Sequence, residues 1–322
     1  MQGALDEKTF KTFKLILLMT EYWNIMYSMQ SFAMNRSVSP RELSKAIGIS
    51  ESSLKRWADQ GLLSVTRTGG GHRRITLKDA ISFIRHRSMT ILDPAAIGLP
   101  AGLDAAAVNS DTADDFLQML QDGCSEAAQQ IILSLFMSGM PISEIGDSYI
   151  KYALQIIGDG EHTPQSILVE HRATQICVQV LQQIQTMIKP SDSSYSAVGC
   201  SLAPDPYMLP SMLVASVFQE HGAEASNIGP NTPLDVLRVA SVDLPEADRP
   251  DVAWLSVSTL KDGRAQSNLI NEFAADCSAC GIKLVIGGRN IGHLALEHVP
   301  GMTMHASLQS VSELAASIAA SK

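Results

Sequence analysis

No stretch of the 322-residue chain holds about 18 consecutive apolar residues, the length a membrane-crossing helix needs. The nearest approach, residues 13–34 with its LILLM run, is interrupted by Glu21, Asn24 and other polar positions. No small-residue cleavage site follows a basic start either. Neither a transmembrane helix nor a secretory signal is expected, and a cytoplasmic protein without a membrane partner is. Cysteine is scarce: Cys124, Cys177, Cys200, Cys277 and Cys280 sit on apolar or helical stretches and form no loop-rich disulfide framework. Cys277-x-x-Cys280 has interesting spacing but no second pair or neighbouring His, so it reads as two ordinary thiols on a helix. Catalytic patterns are missing too. There is no nucleophile elbow, no His-Glu-x-x-His and no Gly-Lys-Ser phosphate loop, and GCSLAPDPY at 199–207 is not a dinucleotide fingerprint. No catalytic or metal-binding residue is expected, and the chain reads as a non-enzyme. Aromatics make up only 5%, yet 45% apolar content is enough for packed cores, and the length suits two or three domains.

What is present is concentrated in residues 37–75. Ser39 can cap a helix with Pro40 at its first position, and Glu42 completes a capping box. Leu43, Ala46 and Ile47 form one apolar stripe. Gly48-Ile49 makes a turn, Ser50 caps again, and Leu54 with Trp57 gives the second helix its buried face, ending at Gly61. Ser52, Lys55 and Arg56 are left facing outward, as a helix in a DNA major groove requires. Leu62–Arg67 and His72–Ile75 then read as two strands joined by Thr68-Gly69-Gly70-Gly71. That tip would let Arg67, His72, Arg73 and Arg74 reach phosphates. Residues 36–90 hold 11 Lys/Arg against 4 Asp/Glu, whereas the whole chain carries −9, so a basic head sits on an acidic body.

On RWADQGLL followed by GGHRRI, the stretch Val38–Arg87 resembles the MerR family, whose helix-turn-helix is followed by a β-wing. The resemblance implies a winged helix-turn-helix over 37–90 and double-stranded operator DNA as partner. Residues 1–36 form an extension, read either as an extra helix packing on the head or as residues upstream of a start at Met34.

Residues 91–111, rich in Ala, Pro and Gly, read as a linker. Helical patterns then fill 112–190: Phe116, Leu117 and Leu120; Ile131, Ile132, Leu135 and Phe136; a helix opened by Pro141 with Ile145, Tyr149, Tyr152 and Ile156; and a long one over Pro164–Met187. Together they make a central four-helix bundle. From Ser196 the period changes. AVGCSL, AEASNIG, DVAWLSVS, IKLVIGG and MTMHA are strand-like runs, with helical stretches near 208–221, 232–242, 263–280, 289–297 and 307–320. This alternation over 196–322 predicts an α/β, doubly wound parallel sheet. Ligands of such sheets bind beyond the carboxyl ends of the strands, which puts Leu202–Tyr207, Ser256–Ser258 and Gly287–Gly288 on one rim.

The order of head, bundle and sheet is similar to the B12-dependent light-sensing repressors of the CarH/LitR type. The best points are the stretch 123–159, VEHRAT at 169–174, GPNTPLDVL at 229–237 and VIGGRNIGHLALEHVPG at 285–301. The resemblance implies adenosylcobalamin held between bundle and sheet, with light breaking its carbon–cobalt bond and a change of assembly releasing DNA. In that family an Asp/Glu-x-His-x-x-Gly motif supplies a cobalt-ligating His. The matching stretch here is Asp205-Pro206-Tyr207-Met208-Leu209-Pro210, with Tyr207 for His and Pro210 for Gly. A phenol must lose a proton at a pKa near 10 before it ligates as well as an imidazole does. The family also has a Trp ten residues before a Glu-His pair. Glu170-His171 is present, but the position ten back is Gly160, which enlarges the implied pocket. Ser256 or Ser258 matches the family's Ser motif, and Gly287-Gly288 lets a backbone approach a flat ligand.

Three readings of the body stay open. It binds cobalamin with no protein ligand to cobalt; or another tetrapyrrole, haem or a bilin, with Tyr207, His162 and His171 as contacts; or no cofactor, serving oligomerisation or a protein partner. A corrinoid carrier for a methyltransferase or mutase is disfavoured by the missing His and by the head. A DNA-bound protein adaptor is not separable from a ligand-sensing regulator on sequence. One head buries too little surface for operator-level affinity, so a homodimer or homotetramer is expected.

Overall fold

The computed structural model describes residues 36–100, 103, 112–160, 163–189 and 195–322. The head begins with β1 (Ser37–Val38), α1 (Pro40–Ile47) and α2 (Glu51–Asp59). The wing is β2 (Thr66–Arg67) and β3 (Arg73–Thr76), followed by α3 (Leu77–His86). The capping box at Ser39 and Glu42 forms as the sequence predicts, and Ser50 and Thr76 cap the next two helices through their hydroxyls. The wing is shorter than expected: Leu62 is exposed and Leu63 is buried in the approach to it, so pairing begins only at Thr66. The antiparallel order is β1-β3-β2.

The expected linker over 91–111 is, in its first half, part of the head. Ile91, Ile97 and Leu99 are buried. The Leu92 and Asp93 N–H groups both donate to the Ala46 carbonyl, at 2.7 and 3.1 Å, and Lys45 pairs with Asp93 at 2.7 Å. The end of α1 thereby gains the partners its last carbonyls lack. Residues 101–102 and 104–111 lie outside the described residues, as do 1–35, where the extra-helix expectation falls.

The bundle comprises α4 (Ala113–Asp122), α5 (Ser125–Met137), a continuous rod α6 and α7 (Pro164–Met187). Rod α6 runs through Ile142–Glu144, a π-helical stretch Ile145–Lys151, and Tyr152–Gly158. Within it, Gly146 has no side chain to hold off Leu308 and Leu213, so the rod lies directly on the helices of the sheet domain.

The third layer follows as β4 (Ser196–Leu202), α8 (Leu209–Glu220), β5 (Glu224–Thr232), α9 (Leu234–Val239), β6 (Val252–Ser256), α10 (Gly263–Ala279), β7 (Lys283–Gly287), β8 (Met302–His305) and α11 (Leu308–Ala320). All pairings are parallel, in the order β5-β4-β6-β7-β8. Winged head, four-helix bundle and parallel sheet are thus the architecture expected. One helix expectation fails. Residues 289–297 form only a three-residue 3-10 turn, Ile291–His293. Other groups capture the backbone there: Ala295 N–H donates to Ser267 Oγ, Glu297 N–H to Asn271 Oδ1, and Asn290 N–H to the Val257 carbonyl.

One sheet face, through Ala197, Val252, Trp254 and Val285, shares a continuous apolar core with the bundle and the head. The opposite face packs Cys200, Leu255 and Ile286 against α9 and α10 in a separate cluster. Trp254 lies over Gly199, meets Phe218 at 5.8 Å between ring centroids, and donates from its indole to Ser211 Oγ at 2.9 Å. Removing such a side chain would cost about 3–5 kcal/mol.

Candidate nucleic-acid interface and sheet rim

Between α2 and the wing lies a concavity of about 390 Å³ lined by Ser39, Pro40, Arg41, Glu51, Lys55, Arg67, Gly71, His72, Arg73 and Arg74. Leu54 anchors α2 from beneath, and Trp57 meets Phe83 of α3 at 5.4 Å between ring centroids. That fixed inner face turns Ser52, Lys55 and Arg56 outward, and all three are exposed. Lys55 has only a loose 3.9 Å approach to Glu51. Arg56, Arg67 and Arg74 have no acidic partner at ion-pair distance among the described residues. Arg73 differs from its neighbours: its guanidinium pairs with Asp59 at the end of α2, so it braces the wing. Arg67 and His72 flank the glycine tip and stand exposed. The Thr68 N–H donates to the His72 carbonyl at 2.9 Å, closing the hairpin. The surface is a groove of unspent cations on a rigid support, suited to a polyanion.

At the far end, strand register aligns Ser201, Ser256, Gly287 and His305 in one row across β4, β6, β7 and β8. Register partners in a parallel sheet face the same side, here the side shared with the bundle. Ser201 Oγ donates to the Tyr207 carbonyl at 2.6 Å, and His305 bonds Ser310 and Thr303 at 3.0 Å each. Burial pushes the His305 imidazole below its usual pKa, against a smaller opposing pull from Glu313. The Ser256 hydroxyl is buried without a hydrogen-bond partner among the described residues. A Cβ built at Gly287 would stand 3.2 Å from the His305 carbonyl oxygen, a tight contact with backbone. Gly288, at φ +121°, crosses directly over the Val257 backbone, where any Cβ would overlap.

Asp205 is the hub of the rim loop. Its carboxylate accepts from the Tyr207 N–H at 3.0 Å and the Ser258 N–H at 2.5 Å. Burial drives its pKa upward, and the N–H groups of Ser258 and Tyr207 pull it back. Tyr207 itself projects, about half exposed, beside the exposed Met208. Asp159, the neighbour of Gly160, pairs with Arg289 at 2.9 Å, which brings the end of α6 to the glycine turn. Glu170 and His171 lie on the first turns of α7 and, among the described residues, make no hydrogen bond or ion pair with the rim. His162 lies outside the described residues. Ser256, Ser258, Tyr207, Gly287 and Gly288 are therefore brought together. Ser201 and His305 join them only once register is known, so sequence alone does not single them out.

A corrinoid held through a lower-face His does not fit these residues. No imidazole stands at position 207, and the carboxylate that would orient one is already held by two backbone N–H groups. Among the described residues no group of three or more His, Cys, Asp or Glu is placed to hold a metal. Cys277 is buried, with its thiol pushed up to about 12 by loss of solvent.

The fold of residues 36–100 and its cationic groove define a winged DNA-binding head. Residues 39–75 match the family model described as MerR family regulatory protein, so the chain carries a MerR-type DNA-binding domain. No curated protein matches the chain. Similar solved structures include the Methanosarcina barkeri monomethylamine corrinoid protein, at 12% identity and TM-score 0.47, covering 63% of this chain and 96% of that one. A cobalamin-binding protein from Desulfitobacterium hafniense DCB-2 has 12% identity and TM-score 0.31 over 63% and 97%. The methanol:cobalamin methyltransferase complex MtaBC of Methanosarcina barkeri has 11% identity and TM-score 0.32 over 85% and 94%. No helix among the described residues is long and apolar enough to cross a membrane.

Proposed function

We propose that the chain is a transcriptional regulator without catalytic activity, whose body senses a flat small molecule at the sheet rim and reports to the DNA-reading head. The observation that carries the DNA side is the row of cations along α2 and the wing, of which Lys55, Arg56 and Arg67 are exposed and Arg56, Arg67 and Arg74 have no acidic partner at ion-pair distance among the described residues. The buried Ser256 hydroxyl beside the partly exposed Gly287, which carries no side chain, supports the sensing side. Tyr207 and Met208 supply an apolar wall for a planar ligand, and Ser256 a hydrogen bond to its edge. A tetrapyrrole other than cobalamin, haem or a bilin, has the required shape. Because a single head buries too little surface for tight specific binding, a dimer or tetramer places two or more heads on repeated half-sites.

Two measurements test this. Enrichment of duplexes from a random pool should yield one motif, whose affinity falls steeply with salt; absence of any enriched sequence sinks the regulator reading. The absorption spectrum of protein purified from its own host, in the dark and after light, reads the ligand. Haem or bilin bands support the sensing reading, and corrinoid bands replace it with cobalamin bound without a protein cobalt ligand. A protein that stays colourless after exposure to cobalamin, haem and biliverdin leaves the body as an assembly or partner-binding unit.

A further inference from the structure

Arg85 lies in the last turn of α3, the helix that closes the head. Its Nη2 donates to the Met140 carbonyl at 3.1 Å and to Glu220 Oε1 at 2.8 Å. The same guanidinium lies over the Phe136 ring, 3.7 Å from its centroid. Glu220, the last residue of α8, accepts from the Ile142 N–H at 2.9 Å through its other oxygen. Both charged side chains are only 15% exposed. One ion pair thus joins head, bundle and sheet domain, seconded by Lys189 on Asp79 at 2.8 Å. A pair so far out of water adds little net stability, because desolvation offsets its attraction, but its geometry is demanding. The opposite end of α8 follows Tyr207 and Met208 at the rim. A rigid 12-residue helix, roughly 18 Å long, therefore runs from the rim to the seat of the head.

We infer that Arg85 and Glu220 are positioning residues for DNA binding: they hold the head in one orientation on the body, and α8 makes that orientation depend on the rim. This rests on the DNA reading above. Lys55, Arg56, Arg67 and Arg74 take no part in the seat, so the pair sets where the groove points rather than what it touches. Orientation matters because paired heads must meet half-sites at fixed spacing.

The test uses the full chain, with Glu220→Gln, which keeps shape but removes charge, and Arg85→Lys, which keeps charge but loses the planar guanidinium that lies over Phe136 and the fixed placement of its N–H donors. Hydrogen exchange at the Ile142 amide and affinity for the duplex enriched by the native chain are read across a salt series. In both variants affinity should fall about fivefold or more, the lower end of ordinary coupling between sites. The slope against salt should not change, since no phosphate contact is lost. In Glu220→Gln the Ile142 amide should also exchange roughly tenfold faster while the amides of α2 keep their protection. Affinity within twofold of native in both variants overturns the inference, as does a slope lowered by one unit, which would make Arg85 a direct phosphate contact. If Glu220→Gln also loosens α2, Glu220→Asp decides on the same readouts. A native chain that enriches no duplex fails before any variant is made, and that outcome removes the DNA reading and the inference with it.

Discussion

The head groove and the sheet rim are both polar surfaces built on rigid supports, but they dispose of their polar groups in opposite ways. On the head's outer face Lys55, Arg56 and Arg67 are exposed; among the described residues neither they nor the half-buried Arg74 have an acidic partner closer than 3.9 Å, whereas Arg73 is tied to Asp59. At the rim nearly every polar group is already engaged: Asp205 by two N–H groups, Ser201 by a carbonyl, His305 by two hydroxyls. Among the described residues of the rim, the buried Ser256 hydroxyl is left over. Unspent hydrogen-bonding and charge capacity marks where an outside partner fits, whereas a saturated cluster marks where the chain holds itself together. A motif position is informative only with its partners in view.

The comparison can be broken most forcefully in the groove. Lys55→Ala combined with Arg56→Ala should weaken duplex binding by about tenfold to several hundredfold near physiological salt, read by titration of a labelled duplex. Binding that survives intact would mean α2 does not enter the groove of DNA. At the rim the largest effect should be structural: Gly288→Ala forces a Cβ into the Val257 backbone and should cost about 2–4 kcal/mol in a urea melt. An unchanged midpoint would show that the crossing is loose. A smaller change separates groups that burial holds neutral from those in solvent. His221, half-buried against Ser312 at 2.7 Å, has its pKa drawn below 6.5 by burial, with Glu220 pulling the other way. The unfolded chain takes up that proton first, so stability present above pH 6.5 should decline as pH falls below it. His221→Gln should flatten this part of the thermal profile. The finest distinction lies within the wing. Arg67→Ala should lower the salt slope by about one unit. Arg73→Ala, which frees Asp59, should change the melting midpoint more than the slope.

Most of the framework is legible from local rules. Ser39 and Ser50 announce helix starts because capping is a matter of three or four neighbouring residues. The strands declare themselves by composition. What sequence does not reveal is pairing at long separation. Ile91, Ile97 and Leu99 follow no period, so nothing local shows that they close the end of α1. Asn271 and Ser267 dismantle an expected helix from 24 or more residues away. Tyr207 at the position where the resembling family has His is visible in the sequence, but the engagement of Asp205 by two backbone N–H groups appears only in three dimensions. Arg85 and Glu220, 135 positions apart, carry no signal of each other.

The continuous core has a thermodynamic consequence. Head, bundle and one sheet face share buried side chains from Val38 to Ile318, whereas the far face rests on its own cluster. Heat should therefore divide the molecule along the plane of the sheet rather than at the boundary between head and body. Helices α9 and α10 belong to one cooperative unit. The head should melt with the other, because its core is continuous with apolar side chains more than 200 residues downstream.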